Sequence, residues 1–179
     1  MYDQVDYSER MTKEYSLKNY FLAFSRISLG WIFLWAFLDK TFGLGYTTTV
    51  EASWTNGGNP IYGYLTYATS GPFAEMFQGF ADSTIFQWLF MMGLLGIGLS
   101  LILGIGLKVT AYAATLLLML MYISALPFVT EGSHNPLVDD HIVYAFLALY
   151  IGFTNEDHVM SLRKTWSKLG IVKKYPLIK

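Results

Sequence analysis

The chain has 179 residues, of which 54% are hydrophobic and 14% are charged, with a formal net charge of −1 at pH 7. Charged side chains are too few for a water-soluble domain of this length, and a net charge near zero gives no indication of nucleic-acid binding. The sequence has no cysteine, which excludes disulfides, thiolate metal ligands and cysteine-held iron–sulfur clusters on this polypeptide.

Four apolar runs predict an all-α integral membrane protein built as a four-transmembrane-helix bundle. Each is close to the ~20 residues that cross a bilayer core. They cover about residues 20–38, 85–107, 109–128 and 137–153. We interpret residues 1–179 as a single membrane domain.

The basic residues predict the orientation of these spans. Three precede the first run, Lys108 lies between the second and third, and six follow the fourth. Residues 43–83 and 130–140 contain neither lysine nor arginine. This asymmetry predicts a multi-pass membrane protein with both termini in the cytoplasm. The basic C-terminal residues are then expected to face anionic lipid headgroups.

The first run contains the two basic residues that break this pattern, Arg26 and Lys40. They are 14 residues apart, roughly 21 Å along a helix, which predicts Arg26 near the cytoplasmic surface and Lys40 near the outer one. Arg26 is expected to be structural or to contact lipid, either by reaching the headgroups or by pairing with Glu156 or Asp157. Lys40 is either a solvated anchor or part of a site.

The segment 43–83 is too long for a simple connection and is predicted to form an outer lid. Its second half favours an amphipathic helix on the membrane surface that begins at Pro72. Phe73, Phe77 and Phe80 would share one face of that helix. The lid either covers the mouth of the bundle or closes over a substrate.

Spans two and three are predicted to form an antiparallel hairpin, because only a short turn near Lys108 joins them. Gly96, Ser100 and Gly104 recur every four residues on span two. Such a stripe is typical of close helix packing, and dimerisation or a cofactor slot are the alternatives.

Polar residues crowd the start of the fourth span. Asn135 suits an N-cap and Pro136 a first helical position, and acidic residues there complement the helix dipole. Those roles leave His141 unexplained, as well as Tyr144 about one turn below it. We expect Asp139 or Asp140 to pair with Lys40 and His141 to transfer protons at the outer boundary.

Two stretches give the chain a resemblance to a known family. They are the run from Arg26 through Gly30 and Phe33 to Lys40, and the run Asn135-Pro136-x-x-Asp139-Asp140-His141-x-x-Tyr144. Together they resemble the DoxX/DoxD family of small four-helix membrane proteins. Asp39-Lys40 through Gly45, Asn56-Gly57-Gly58-Asn59-Pro60 and Gly71-Pro72-Phe73 look closest to its DoxD branch. The resemblance spans about residues 19–153.

The resemblance implies a plasma-membrane subunit of thiosulfate:quinone oxidoreductase, which oxidises thiosulfate to tetrathionate and passes the electrons to quinone. Members of that branch work with a second subunit, DoxA, and nothing of that kind is fused here. We therefore expect quinone and a DoxA-like subunit as partners beside membrane lipid. No metal or haem is predicted, and self-association is left open.

These expectations give each candidate residue a role in the leading hypothesis. The catalytic residues that handle protons are Asp139, Asp140 and His141, and the substrate-binding residues are Lys40, Asn135 and His134. The residues that line the quinone are Trp35, Phe37 and Tyr144. The alternative function is a non-enzymatic membrane scaffold that docks a redox or stress-response partner. A transporter is less favoured, because no span is visibly interrupted at its midplane.

Overall fold

The computed structural model describes residues 2–130, 135–154 and 159–178, and within them the side chains from Leu17 onward apart from Pro176. Across these ranges the protein is all-helical, with no β-strand beyond an isolated bridge between Ser70 and Ala125. Its α-helices are α1 Tyr2–Phe42, α2 Tyr62–Tyr67, α3 Ala74–Gln78, α4 Thr84–Leu103, α5 Leu107–Ser124, α6 Asp140–Phe153, α7 Arg163–Trp166 and α8 Gly170–Lys174.

Within the described ranges, three helices are long and apolar enough to cross a membrane, namely the Leu17–Phe42 part of α1, α4 and α5. The fourth predicted span is shorter, because α6 has only 14 residues. At the helical rise of 1.5 Å per residue, α6 is about 21 Å long, less than a hydrocarbon core of about 30 Å. The all-α class is thus confirmed, and three helices have the length and hydropathy of membrane spans, whereas a fourth crossing stays a prediction.

The four main helices pack side by side, α1 against α4, α4 against α5, and α5 against α6. α1 and α6 complete the bundle with a sparser contact. Each of the four turns a large apolar side chain outward: Phe21, Leu89, Leu116 and Phe146 are all 63% to 69% exposed. In water such an exposed apolar surface would favour aggregation, whereas lipid tails solvate it.

Two glycines, Gly30 and Gly98, bring α1 and α4 together. A Cβ atom on Gly98 would lie 2.8 Å from the backbone nitrogen of Leu34, and one on Gly30 would lie 3.0 Å from the carbonyl oxygen of Gly98. Of the predicted stripe, Gly96 does not make this contact, since nothing lies within 4 Å of a Cβ built on it.

The predicted hairpin of α4 and α5 is confirmed, with its turn slightly earlier than expected. Gly104 and Gly106 both take left-handed backbone angles, with φ of +67° and +58°. Few L side chains adopt such angles, so α4 ends at Leu103 and α5 begins before Lys108.

The long connection between α1 and α4 folds over one end of the bundle, which we term the loop end (residues 41–83, 125–130 and 135–139). The Ser70 amide donates to the carbonyl of Ser124 at 2.9 Å, which fixes the connection to the end of α5. The predicted amphipathic helix from Pro72 is wrong in extent, because α3 has five residues and begins only at Ala74. Phe77 is buried while Phe73 is 44% exposed.

The opposite end, which we term the tail end, consists of the turn 104–106 and residues 159–178. The amide of Leu162 donates to the carbonyl of Leu103 at 2.8 Å, and the Trp166 indole donates to the carbonyl of Ile178 at 2.6 Å. Val172 is 1% exposed. The C-terminal residues therefore fold against the bundle.

The start of α6 differs from the prediction, because Asp139 caps the helix and Asn135 does not. The Asp139 carboxylate accepts the amides of His141 and Ile142 at 3.0 and 3.3 Å. Asn135 instead closes a local turn by accepting the amides of Leu137 and Val138. Both residues are good caps in principle, and the chain uses the later one for the helix.

Candidate functional site at the loop end

Asp139 and His141 form the most defined polar pair at the loop end. The Nδ1 atom of His141 lies 2.7 Å from the second carboxylate oxygen of Asp139, and the two side chains are 26% and 28% exposed. The same carboxylate is held by two backbone amides of α6. Asp139 therefore fixes the imidazole orientation, while Nε2 is the ring nitrogen left to reach a substrate oxygen.

A second polar group stands behind this pair, on α2 and the end of α5. The hydroxyl of Tyr64 lies 2.9 Å from the Ser124 hydroxyl and 3.2 Å from the carbonyl of Met121. Burial raises the pKa of Tyr64, the bond to Ser124 opposes that shift, and the negative charge of Asp139 adds to it. Tyr64 is consequently held as a neutral phenol close to the carboxylate.

Below His141, a cleft runs between α1 and α6 where these helices pack most sparsely. Its half nearer the loop end has a volume of about 370 Å³ and is lined by residues that include Ser28, Ile32 and Tyr144. Its half nearer the tail end has about 270 Å³ and extends past Ser25 to Lys18. Because both halves share Phe21, Ser25 and Leu147, they form one mostly apolar passage along the bundle surface.

Only one of the three predicted quinone-lining residues, Tyr144, lines this cleft. Trp35 instead stacks with Trp31 and Tyr46, at ring-centroid distances of 5.7 and 5.1 Å. Phe37 packs against the hydrophobic core. The described contacts therefore do not gather the three rings around one ligand.

Lys40 is half-buried next to Asp39, and among the described residues it forms no ion pair with Asp139 or Asp140. Asp39 is 1% exposed, and its carboxylate accepts the Tyr46 amide at 3.2 Å and the amide and hydroxyl of Thr47 at 2.8 and 2.6 Å. The described residues thus do not show the expected cluster of Lys40 with Asp139 or Asp140. Asp39 instead anchors the loop that follows α1.

Two other predicted residues of the site, Asp140 and Asn135, are exposed. Asp140 occupies the first turn of α6. Asn135 has its carbonyl oxygen used in the local turn. His134 lies outside the described residues.

Arg26 is neither at a lipid surface nor snorkelling, since it is 0% exposed. Its Nη1 donates to the carbonyls of Leu101 and Ile102, the latter at 2.9 Å, and its Nη2 donates to those of Val159 and Met160 at 3.2 and 2.9 Å. Lipid contact is therefore wrong, and a structural role fits this geometry. Glu156 and Asp157, the predicted partners of Arg26, lie outside the described residues.

Arg26 complements the C-terminal end of α4, where carbonyls lack helical partners and carry the negative end of the dipole. Gly104 gives it room, because a Cβ there would lie 2.8 Å from Nη1. The guanidinium thereby ties α1, α4 and the chain at 159–160 together.

Sequence reasoning missed Tyr64, Ser124 and Ser28. The first two are 60 residues apart, and their hydrogen bond exists only because the loop end folds back on α5. No spacing along the chain indicates that contact. Ser28 lies on the face of α1 that meets α6. Composition does not distinguish this face from the lipid-facing one, so the sequence does not predict that Ser28 lines the cleft.

Comparisons with protein-family models, with curated proteins and with solved structures find no match to this chain. The likeness to the DoxX/DoxD family therefore rests on the residues quoted above. Among the residues that the structure describes, no group of three or more His, Asp or Glu side chains has the arrangement of a metal site.

Proposed function

We propose that this protein is a four-span membrane subunit of a quinone-linked oxidoreductase. In this proposal the loop end faces outward, and quinone enters from the bilayer through the cleft between α1 and α6. The observation that carries the proposal is that α6 bears both the hydrogen-bonded Asp139–His141 pair at its start and, three residues after His141, the Tyr144 side chain in the wall of an apolar, laterally open cleft.

The arrangement of α6 supports a role in proton exchange. His141 and Tyr144 are three residues apart, so they lie about one helical turn from each other, with Tyr144 in the cleft wall. A histidine whose Nδ1 is held by a carboxylate can exchange a proton at Nε2 with a bound carbonyl or hydroxyl. His141 is the proton-exchanging residue in this proposal, and Asp139 is its positioning residue.

The electron donor follows from the family resemblance alone, which implies thiosulfate. Two thiosulfate ions yield one tetrathionate and two electrons, and reduction of quinone to quinol takes up two electrons and two protons. Lys40 is the candidate for attracting the anion, because the sequence has no other lysine or arginine between Arg26 and Lys108. A DoxA-like subunit is part of this proposal.

Quinone binding can be tested without knowledge of the donor. The purified protein should retain extractable quinone, and Ser28→Trp should reduce the retained amount by filling the cleft near Tyr144. Leu120→Trp is the matched control, because Leu120 is 44% exposed on α5, away from the cleft. Equal quinone retention in both variants would contradict the cleft assignment.

Turnover tests the proton role separately. We expect His141→Gln to lower thiosulfate-dependent quinone reduction by about 10²-fold or more, the range for loss of a general acid or base. Asp140→Asn is the control, since Asp140 is exposed and outside the hydrogen-bonded pair. If His141→Gln turns over normally, the residue has no part in the reaction.

The orientation can be tested by single-cysteine labelling, because the chain has no native cysteine. Gly63→Cys at the loop end and Gly170→Cys at the tail end are suitable, since a Cβ at either site meets nothing within 4 Å and neither has a positive φ. We expect an impermeant reagent to label only position 63 in intact cells. Labelling of position 170 alone would invert the proposed topology.

The alternative function, a scaffold for a redox or stress-response partner, is favoured by one observation at the loop end. Tyr46 and Tyr67 are 75% and 80% exposed there, and exposed tyrosines are typical of protein interfaces. A stable complex that shows no quinone retention and no turnover would support the scaffold.

A further inference from the structure

We propose that residues 160–178 form a docking surface for the anionic phospholipids of the leaflet at the tail end. This surface, the tail patch, comprises the exposed Lys164, Lys168, Lys173 and Lys174 with the apolar side chains between them. The inference is independent of quinone chemistry and uses only the membrane setting of the bundle.

The charge of this stretch is all of one sign. Residues 159–179 contain six lysines and arginines and neither aspartate nor glutamate. Lys108, in the neighbouring turn region, is exposed as well. Basic residues beside a membrane-spanning helix are attracted to the negative surface potential of a leaflet rich in anionic lipid.

The tail patch is held at a fixed place on the bundle. Arg26 binds the carbonyl of Met160, Leu162 bonds to the end of α4, and the Trp166 indole bonds to Ile178. The burial of Val172 fixes α8 in the same way. The lysines are therefore presented at the tail end of the bundle, where a leaflet surface meets helices that cross the bilayer.

Apolar side chains are exposed between the lysines. Leu162, Leu169, Ile171, Tyr175 and Leu177 are all 46% to 60% exposed. Such a mixture suits the headgroup region, where apolar groups enter the acyl boundary and lysine stems reach outward to the phosphates. A nucleic acid would match the charge but would leave these apolar groups in water, which is why lipid is the partner that we infer.

The test uses the full chain in nanodiscs, with Gly170→Cys carrying an environment-sensitive fluorophore. We compare zwitterionic lipid with the same lipid containing about one third anionic phospholipid. The label should become less accessible to a water-soluble quencher in anionic nanodiscs, and high salt should reverse this protection. A label at Gly63→Cys on the loop end should show no such response.

Lysine variants decide whether charge causes the protection. Each Lys→Gln substitution in the tail patch should lower the docked-to-undocked ratio by about fivefold. The combined Lys164→Gln, Lys168→Gln, Lys173→Gln and Lys174→Gln variant should therefore lose the response. The matching Lys→Arg variant should keep it, because the charge is unchanged.

Three outcomes would overturn the proposal. One is equal quenching in both lipids, and another is protection that survives the four Lys→Gln changes. The third concerns a short nucleic-acid duplex added to zwitterionic nanodiscs. If the duplex protects the label more strongly than anionic lipid does, the partner is nucleic acid.

Discussion

The apolar part of α1, Leu17–Phe42, holds two buried charges, one toward each end of the bundle, and they organise the chain in opposite ways. Arg26 at the tail end is 0% exposed and binds backbone carbonyls, whereas Asp39 at the loop end is 1% exposed and binds backbone amides. A cation thus binds backbone acceptors and an anion binds backbone donors, so the main chain compensates much of each charge. Within the described residues, the Nε atom of Arg26 is left without a hydrogen-bond partner.

The two residues differ in how far along the sequence their hydrogen-bond partners lie. Arg26 binds residues 75, 76, 133 and 134 positions away, and it thereby joins three parts of the chain. Asp39 binds residues 7 and 8 positions away, and it closes a single loop. Loss of Arg26 should therefore affect the whole bundle, and loss of Asp39 mainly the loop end.

The largest expected effect comes from Arg26→Gln. A glutamine cannot reach four carbonyls, and buried acceptors left without donors cost about 1–3 kcal/mol each. We expect a loss of at least ~3 kcal/mol in the free energy of unfolding, measured in detergent. Arg163→Gln is the control, because Arg163 is only half-buried on α7. Similar stability of the two variants would contradict the structural role of Arg26.

A smaller but sharp effect is expected where α1 crosses α4. Gly98→Ala places a Cβ within 3.0 Å of Leu34 backbone atoms, and such overpacking costs about 1–3 kcal/mol. Gly96→Ala, two residues earlier on the same helix, has open space and should be neutral or stabilising by up to ~1 kcal/mol. Thermal unfolding of the pair would test the packing, and equal loss in both would refute it.

These contrasts show how far sequence could predict the fold. Hydropathy located α4 to within a few residues because an apolar run is a local signal, yet it extended the helix past Gly104, whose left-handed φ ends it. At α6, Asn135 and Asp139 both have the composition of a cap. Only the folded chain decides between them.

The candidate site was predictable in part, for the same reason. The contact of Asp139 with His141 lies within three residues and was anticipated as a cluster. The ligands of Arg26 and the bond from Tyr64 to Ser124 join distant residues, and no spacing encodes them. The sequence predicts that Lys40 pairs with the start of α6, whereas in the described structure it interacts electrostatically with Asp39, its chain neighbour.

Asp39→Asn should have a moderate effect that stays local. Asparagine keeps one acceptor oxygen, so it loses part of the bonding to Tyr46 and Thr47, a change of about 1–2 kcal/mol for charge-assisted bonds. Amide hydrogen exchange should increase at residues 46 and 47 while α4 and α5 remain protected. Increased exchange throughout α5 would mean that Asp39 supports the bundle as Arg26 does.

The smallest effect on stability is expected for Lys40 and Asp140, which the sequence predicts to form an ion pair. Asp140 is exposed, and the described residues show no ion pair between the two. Charges without direct contact have mutational effects that add within about 0.3–0.5 kcal/mol. We therefore expect Lys40→Gln and Asp140→Asn to be additive in the free energy of unfolding. A coupling energy above ~1 kcal/mol in the double-mutant cycle would contradict this expectation and indicate a direct ion pair between Lys40 and the start of α6.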